Sequence, residues 1–221
     1  MDSTFEQNRK RTYLPISSVS LLGSCETKTY QSLMGKLRVT KKMQIGTVGH
    51  EKLAARLPKL DKEEMFRIIK SGANCFFREV PVLDGKLKII GRMDEIRFDA
   101  NAVSSKRPAT LIDDKFTKVE YTAIPLYYKL QLALYTCAVD NSYDFSKLCN
   151  INKAVLICRE QGTGRIMRTL EAENRELDIW RSNAPAAVSH TWDMHSNNKP
   201  PEHRRFDVVT GEWAKCWCKQ N

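Results

Sequence analysis

The sequence predicts a mixed α/β protein in which helices cover both faces of one mixed β-sheet. Helical periodicity occupies much of residues 17–71 and returns twice after residue 125. Residues 74–116 are instead rich in β-branched and aromatic side chains, and turn residues divide them into segments of strand length. The resulting order is helices, a three-strand meander, a helix, more strand and a last helix, which is typical of a single sheet covered by helices.

The N-terminal third is predicted to be helical. A loose basic arm covers residues 1–15, and a basic linker covers residues 36–42. The predicted helices are Ser17–Met34, Gly46–Leu57, which Pro58 ends, and Asp61–Ser71, which Gly72 ends. Asp61 and Glu64 have the spacing of a capping box, which supports the start of the third helix.

Strands and helices alternate in the rest of the chain. The predicted elements are the strands Asn74–Leu83, Lys86–Phe98 and Ala109–Phe116, the helix Pro125–Val139, the hairpin strands Ile151–Arg159 and Arg165–Leu170, and the helix Glu171–His195. Asp84-Gly85 is a strong hairpin turn between the first two strands. We expect Pro185 to break the last helix, and a tail follows from Asn197.

The composition excludes several classes of protein. The chain has 221 residues, of which 42% are hydrophobic and 28% charged, as in a globular domain and unlike a disordered chain. No apolar run is long enough to span a bilayer, and the first residues are too polar for a signal peptide. We therefore expect a cytoplasmic protein without a membrane partner, or one in the host cytoplasm if its source is a virus.

The charge balance indicates an anionic partner. Lysine and arginine outnumber the acidic residues by ten, which favours nucleic acid over other partners. The alternative is a basic protein that has no such partner.

The strongest candidate for chemistry lies on two neighbouring predicted strands. Asp94 follows Gly91 on one strand, and Asp113 and Lys115 lie on the next. Because alternate residues of a strand share a face, Asp113 and Lys115 point the same way and Asp114 points away. Two converging carboxylates form an oxygen site for Mg²⁺ or Mn²⁺, which can activate water beside a phosphate, with the lysine assisting. The alternative is a Lys-Asp pair on a solvated edge strand.

Two further motifs lie on predicted helices. Gln131 and Tyr135 are four residues apart on one helix face, and Tyr128 lies on the same stripe. They could bind a phosphate backbone or hold the lysine, or they could form the polar edge of an amphipathic helix. His50 follows Gly46 in GTVGHE and is a candidate metal ligand through a neutral imidazole nitrogen, although it shares a face with apolar residues and could simply be packed.

Together these motifs resemble a known enzyme family. The ordered set Gly46-x-x-x-His50, Gly91-x-x-Asp94, Asp113-x-Lys115 and Gln131-x-x-x-Tyr135 is similar to the RecB-like branch of the PD-(D/E)XK nucleases. Within that branch the chain most resembles the CRISPR-associated exonuclease, the fourth Cas protein, and its viral relatives. The strand segment Glu79-Val80-Pro81-Val82 also fits the family's pattern.

The resemblance implies a fold and roles for individual residues. It implies a restriction-endonuclease-like core in residues 16–196, after an N-terminal arm of residues 1–15 and before a C-terminal tail of residues 197–221. His50, Asp94, Asp113 and the backbone carbonyl of Asp114 would bind Mg²⁺ or Mn²⁺, and Lys115 would be the catalytic lysine. Gln131 and Tyr135 would support Lys115 and the DNA. The family usually has glutamate where this chain has Asp113.

The resemblance also implies a substrate and partners. They are single-stranded or frayed DNA, cleaved as an exonuclease with possible endonuclease action, and proteins of CRISPR adaptation or recombination. Tyr128, Lys41 and Lys42 are candidate DNA contacts, through stacking and through phosphate charge. The alternatives are a structure-selective endonuclease or junction resolvase on the same core, and a DNA-binding module without catalysis.

The cysteines leave a second metal site open. Seven cysteines, an odd number, make a disulfide framework a poor explanation, and Cys25, Cys216 and Cys218 lie in polar or aromatic surroundings near the ends. Many relatives hold a 4Fe-4S cluster with one cysteine near the N-terminus and three near the C-terminus, whereas this chain offers only Cys216-x-Cys218 there. Cys158 or His203 could complete the set. Zinc at Cys216, Cys218 and nearby histidines, or thiols without a metal, are the other interpretations.

Overall fold

A central mixed sheet with helices around it forms the core of the computed structural model. The structure describes residues 12–37, 40–55, 61–100, 106–197 and 201–216, and for residues 41–43, 45 and 54 the backbone alone. The strands of these ranges are β1 (Leu14–Pro15), β2 (Cys75–Asp84), β3 (Ile89–Phe98), β4 (Arg107–Thr117), β5 (Cys149–Glu160), β6 (Ile166–Glu173), β7 (Arg204–Asp207) and β8 (Glu212–Lys215). The helices are α1 (Ile16–Ser20), α2 (Glu26–Leu33), α3 (Lys41–Ala54), α4 (Lys62–Lys70), α5 (Leu126–Asn141), α6 (Phe145–Leu148) and α7 (Asn174–Ser196).

Both parallel and antiparallel pairings occur in the main sheet, which confirms the predicted mixed α/β class. Strands β2, β3 and β4 form the predicted antiparallel meander, and β5 pairs with β4 in parallel after the crossover helix α5. Strand β6 returns antiparallel to β5 as the predicted hairpin. The turn after β2 begins at Asp84, whose Oδ1 accepts hydrogen bonds from the amides of Lys86 and Leu87.

One edge of β3 is shared by two partners. Strand β1 pairs in parallel with Ile89 and Ile90, and β4 pairs with residues 95–98. Among the described residues, neither partner pairs with residues 91–94 on this edge, because β4 diverges from β3 beyond the pair Glu95–Ile112. The sheet therefore contains a fork, and Asp94 and Asp113 lie where it opens.

Helix α5 fills the centre of the molecule. Leu132, Ala133 and Leu134 are fully buried, and so is Ala138 one turn later. The helix contacts strands β2 to β5 on one side and α1 and α7 on others. A helix buried on nearly every side needs apolar residues around most of its circumference, and that is what this segment has.

The last predicted helix is continuous through its proline, and it begins at Asn174 because strand β6 extends to Glu173. The expectation that Pro185 breaks it was wrong, since α7 runs without interruption from Asn174 to Ser196. Proline cannot donate the hydrogen bond that the carbonyl of Arg181 would otherwise accept. That carbonyl lies 3.6 Å from Cys137 Sγ and accepts from the thiol of α5 instead. Packing against α5 thus replaces part of the lost interaction.

The N-terminal helical region is divided more finely than predicted. The expected helix Ser17–Met34 consists of α1, a 3-10 turn from Leu21 to Gly23, and α2. A side-chain carbon at Gly23 would lie 2.6 Å from the Cα atom of Tyr127, so glycine is needed where the chain turns beside α5. Helix α3 begins at Lys41, inside the expected linker, and ends at Ala54.

The segment predicted as a tail folds back onto the domain. Strands β7 and β8 form a short antiparallel hairpin where the sequence predicted a tail without secondary structure. Phe206 and Val208 are fully buried in the main core. Leu14, expected in the N-terminal arm, is also buried, whereas residues 1–11 lie outside the described ranges. Among the described helices, none combines the length and apolar character needed to cross a membrane.

We expect Gly23→Ala to lower the free energy of unfolding by roughly 1–3 kcal/mol, because the methyl group would push the 3-10 turn at Gly23 away from the first turn of α5. Urea denaturation would measure the change. Gly85→Ala is the control, since a side-chain carbon at Gly85 meets no atom within 4 Å. Equal stability of the two variants would contradict the close approach.

Candidate functional site

The Asp94 side chain bridges β3 and β4 at the point where the two strands separate. Asp94 Oδ2 accepts a hydrogen bond from the backbone amide of Asp114, at 2.8 Å. Because β3 and β4 no longer pair at this point, the Asp114 amide has no carbonyl partner on β3. The Asp94 carboxylate accepts its hydrogen bond instead. The same bond places the Asp94 carboxylate beside the β4 residues that follow.

Asp113 and Lys115 form a buried ion pair on one face of β4, as the strand alternation predicts. Lys115 Nζ lies 2.9 Å from Oδ1 and 2.8 Å from Oδ2 of Asp113, which is 1% exposed. The ammonium has hydrogen-bond geometry only towards Oδ1. Among the described residues, Asp113 Oδ2 therefore accepts no hydrogen bond, and its lone pairs remain available for a ligand.

Asp114 points to the opposite face, where it is fully paired. Arg159 Nε donates to its Oδ1 at 2.6 Å, and Arg78 donates to its Oδ2 at 3.2 Å. Arg78 also pairs with Glu95 at 2.5 Å. These contacts compensate a carboxylate with no exposed surface and tie β2, β3, β4 and β5 together behind the fork. The proposed metal contact of the Asp114 backbone carbonyl stays a prediction.

The two carboxyl groups at the fork are hard to ionise without a cation. Burial raises the pKa of Asp113 to about 7, an effect that Lys115 opposes and Asp94 reinforces. Burial likewise raises the pKa of Asp94 to about 6, again opposed by Lys115. For Lys115, burial lowers the pKa, but the two carboxylates outweigh it and the net shift is upward. The lysine stays charged, and the pair of carboxyls is ready to exchange a proton for a metal ion.

His50 reaches the fork from helix α3. Its Nδ1 lies 3.6 Å from Asp94 Oδ2. Burial, followed by the charge of Lys115, lowers the His50 pKa, so the ring is neutral and able to act as a ligand near pH 7. The ring packs edge-on against Phe116, with 5.5 Å between the centroids.

Glu79 joins this group, although it was not among the residues proposed for the site. One ligand atom each from His50, Glu79 and Asp94 lies within 4.8 Å of the others. Glu79 has a φ of 53°, an uncommon value for a residue with a side chain, and it interrupts the register between Arg78 and Val80. The sequence signal was weak, because a glutamate inside a strand usually faces solvent.

Helix α5 closes the site from one side. The Tyr135 hydroxyl donates to the backbone carbonyl of Arg92 at 2.7 Å, in the stretch of β3 that neither β1 nor β4 pairs with, and Gln131 hydrogen-bonds to Tyr135. A side-chain carbon at Gly91 would lie 2.8 Å from the Tyr135 ring. The glycine of Gly91-x-x-Asp94 thus makes room for the tyrosine of Gln131-x-x-x-Tyr135, so the two motifs form one contact.

Of the residues predicted to contact DNA, Tyr128 is described by the structure with its side chain. Lys115 Nζ lies 5.1 Å above the ring of Tyr128, which also packs on Tyr127, so this tyrosine holds the lysine in the structure. The proposed DNA contact of Tyr128 stays a prediction. The side chains of Lys41 and Lys42 lie outside the described part of the chain, and so does all of Cys218.

A cleft of about 590 Å³ lies beside Phe116, and its lining does not include Asp94, Asp113, Lys115 or His50. It lies between helix α3 and the turn that joins β5 to β6, and Phe116 separates it from His50. Its lining includes Lys52, Gly49 and the turn residues Gly162, Thr163 and Gly164. A side-chain carbon at Gly49 would lie 2.6 Å from the Phe116 ring, so this glycine sets how closely α3 approaches β4.

Cys25 and Cys216, which lie 191 residues apart in the chain, come together in the structure. Their sulfur atoms are 3.2 Å apart, and His203 lies beside them. Cys158 is instead buried in β5, at the register position of Lys115.

Solved structures with low sequence identity are similar to this chain in fold. A protein provisionally named as an exonuclease, from Eubacterium rectale, is 13% identical over 90% of this chain and 86% of that one, with a TM-score of 0.51. An alkaline exonuclease from Laribacter hongkongensis is 11% identical over 90% of this chain and 94% of that one, with a TM-score of 0.48. No protein-family model matches the chain, and no curated protein matches it significantly.

The raised pKa values of Asp94 and Asp113 predict how stability depends on pH without metal. Between about pH 4 and pH 7 these two groups bind more protons in the folded chain than in the unfolded chain, so their contribution to the free energy of unfolding falls as the pH rises. We expect Asp94→Asn, which keeps an oxygen for the Asp114 amide, to stabilise the metal-free protein by roughly 1–2 kcal/mol at pH 8 and hardly at pH 4.

Urea denaturation in EDTA at the two pH values tests this expectation. Asp178→Asn is the control, because the Asp178 side chain is 68% exposed on α7. A stabilisation by Asp94→Asn that is equal at both pH values would mean that the charge of Asp94 is not the cause.

Proposed function

We propose that this chain is a metal-dependent nuclease of the PD-(D/E)XK type that hydrolyses phosphodiester bonds in DNA, acting as an exonuclease on single-stranded ends. The observation that carries the proposal is the convergence of Asp94, Asp113 and Lys115 at the fork of the sheet. The name of the Eubacterium rectale protein, which has a similar fold, agrees with this activity, and so does the net charge of +10.

The site suits a hard divalent cation. Asp113 Oδ2 is buried beside a second carboxylate and accepts no hydrogen bond from the described residues, and His50 offers a neutral nitrogen. The ligand atoms of His50, Glu79 and Asp94 lie within 4.8 Å of one another and would form one side of a site for Mg²⁺ or Mn²⁺. Asp113 lies outside this group, and we propose that it and the Asp114 carbonyl complete the site from β4. When bound, such an ion lowers the pKa of a water molecule and stabilises the charge that develops on the phosphate.

The protein residues then position the reaction. Lys115 remains charged and lies between Asp113 and the ring of Tyr128, so its ammonium can donate to the attacking water or to a phosphate oxygen. Tyr135 fixes the stretch of β3 at Arg92 and thereby the direction of Asp94. Because Asp94 and Asp113 have pKa values of about 6 and about 7, metal affinity should increase as the pH rises through these values and level off above them.

The size of the cleft favours a single strand. About 590 Å³ is within the usual range of roughly 300–1,000 Å³ for small-ligand pockets, which suits the end of one strand better than a duplex. Lys52 lines this cleft and supplies a positive charge for a phosphate. A setting in CRISPR adaptation, recombination or viral genome processing stays a prediction.

We expect Lys115→Ala and Asp113→Ala each to reduce cleavage at least about 100-fold, because the first removes a cation that stabilises the transition-state charge and the second removes a proposed metal ligand. The assay uses end-labelled single- and double-stranded DNA with Mg²⁺, Mn²⁺ or EDTA. Lys118→Ala is the matched control, since Lys118 is exposed three residues further along β4 and its loop.

The outcomes separate the candidate functions. A ladder from one end of single strands, absent in EDTA and in both variants, supports the exonuclease. Internal cleavage of branched or looped DNA indicates a structure-selective endonuclease on the same core. DNA binding without cleavage of any substrate overturns the proposal in favour of a binding module.

A second expectation concerns Gly49. We expect Gly49→Ala to reduce the cleavage rate about 10-fold or more, because its methyl group would displace Phe116 and with it His50. Gly46→Ala lies one turn earlier in the same helix, where a methyl group meets no atom within 4 Å, and should retain full activity. Equal rates for the two variants would exclude a role for this close approach.

A further inference from the structure

A second group of ligand-type side chains lies away from the fork. Cys25 is the residue before α2, His203 precedes β7, and Cys216 directly follows β8. One ligand atom from each lies within 4.8 Å of the other two. Cys25 and Cys216 are almost completely buried. Three residues from distant parts of the chain thus form one compact set of sulfur and nitrogen donors.

We propose that Cys25, His203 and Cys216 bind a single zinc ion that joins the C-terminal hairpin to helix α2. The donor set is the one that zinc prefers, two thiolates and an imidazole. The fourth position would be taken by water or by a further protein ligand. Cys218, two residues after Cys216 in the sequence, is the residue to test.

The spacing of the donors fits one metal ion and does not fit the 4Fe-4S cluster that the resemblance implies. In a tetrahedral zinc site with bonds of about 2.3 Å, two sulfurs lie about 3.8 Å apart. Each cysteine of a four-iron cluster binds a different iron, so the width of the cluster keeps the sulfurs well apart. Cys25 Sγ and Cys216 Sγ are only 3.2 Å apart, and small side-chain shifts would open them enough for one ion.

His203 is oriented by a second contact that suits a metal ligand. Its Nδ1 lies 3.1 Å from the Thr27 hydroxyl, in the first turn of α2. When Nδ1–H donates to this oxygen, the lone pair of the ring is on Nε2, where it can bind the ion. Histidine ligands of zinc are generally fixed in this way through the nitrogen that does not bind the metal.

The backbone around His203 is held from several directions. His203 has a φ of 52°, which persists in a residue with a side chain only where its surroundings impose it. The Cys216 amide donates to the His203 carbonyl at 3.1 Å, which links two of the ligands directly. Glu26, next to Cys25, accepts from the Glu202 amide and from Arg204 Nε, each at 3.1 Å. The buried Glu26 carboxylate therefore hydrogen-bonds to the residues on both sides of His203.

Binding is a balanced exchange of protons for zinc. Cys25 and Cys216 each release a thiol proton to solvent, and His203 binds as neutral imidazole. No redox step is involved. Since the ligands come from two segments separated by most of the chain, the ion would act as a cross-link whose loss frees the hairpin β7–β8.

The test measures metal content and metal affinity directly. The full chain is purified without added metal, zinc is counted by elemental analysis, and Co²⁺ is titrated into the metal-free, reduced protein as an optical probe. The Asp94→Ala, Asp113→Ala double variant serves as the background, because it removes the proposed site at the fork. We expect one zinc per chain and the absorption bands of tetrahedral cobalt with thiolate ligands.

Variants assign the ligands. Cys25→Ser, Cys216→Ser and His203→Ala should each weaken binding at least about 100-fold, and His203→Cys should restore it. Thr27→Val should weaken it about 10-fold, since it removes only the contact that orients the ring. Cys75→Ser is the control for loss of a thiol, because Cys75 lies half-buried on β2 and should bind as the unmodified chain does. Loss of binding in Cys218→Ser would identify the fourth ligand.

Three results would overturn the proposal. They are a brown protein containing iron after anaerobic purification, a Cys25–Cys216 disulfide in a reduced preparation without zinc, and cobalt binding that is unchanged in the Cys25, Cys216 and His203 variants. Circular dichroism of each variant shows whether it is folded, and the comparison of Thr27→Val with Cys75→Ser remains informative if the ligand variants unfold. The result is independent of whether the chain cleaves DNA.

Discussion

The hydrogen bond from the Asp114 amide to the Asp94 carboxylate is the contact on which the arrangement of the site depends. Two antiparallel strands can separate inside a domain only if the groups they stop pairing find other partners. Asp94 supplies one of these partners from its own strand, and Tyr135 supplies another from α5. The same separation creates the space in which carboxylates and an ammonium can converge, so the fork and the site are one feature.

Several strands of the sheet take part in stabilising the buried charges at the fork. Two carboxyl groups with raised pKa values occupy the front of the fork, and behind it a network of Arg78, Arg159, Glu95 and Asp114 locks the strands together. Such a buried network contributes little net stability, but removal of any one member leaves an unpaired charge inside the protein. We interpret the network as the rigid support that keeps the front carboxylates close despite their repulsion.

The sequence predicted the parts of the molecule that follow from local pattern. Alternation along a strand was enough to place Asp113 and Lys115 together and Asp114 apart, and the Asp84-Gly85 turn fixed the meander. Features that depend on distant partners were not predictable: the left-handed conformation of Glu79, the unbroken helix through Pro185, and the hairpin β7–β8, whose four-residue strands carry no marked periodicity. Cys25, His203 and Cys216 were recognisable in the sequence as ligand-type residues, but their proximity in the structure was not predictable.

The position of the hairpin β7–β8 has a consequence for how the protein forms in the cell. Residues 201–216 leave the ribosome long after α2, yet they cover the face of α2 that carries Cys25 and Glu26. Contacts of such long sequence separation form late, since most of the chain must be ordered before they can close. During synthesis this face is therefore open to solvent and to other nascent chains. The Glu26 carboxylate and the Cys25 thiol at that place, rather than a purely apolar patch, leave the unfinished chain less prone to aggregate.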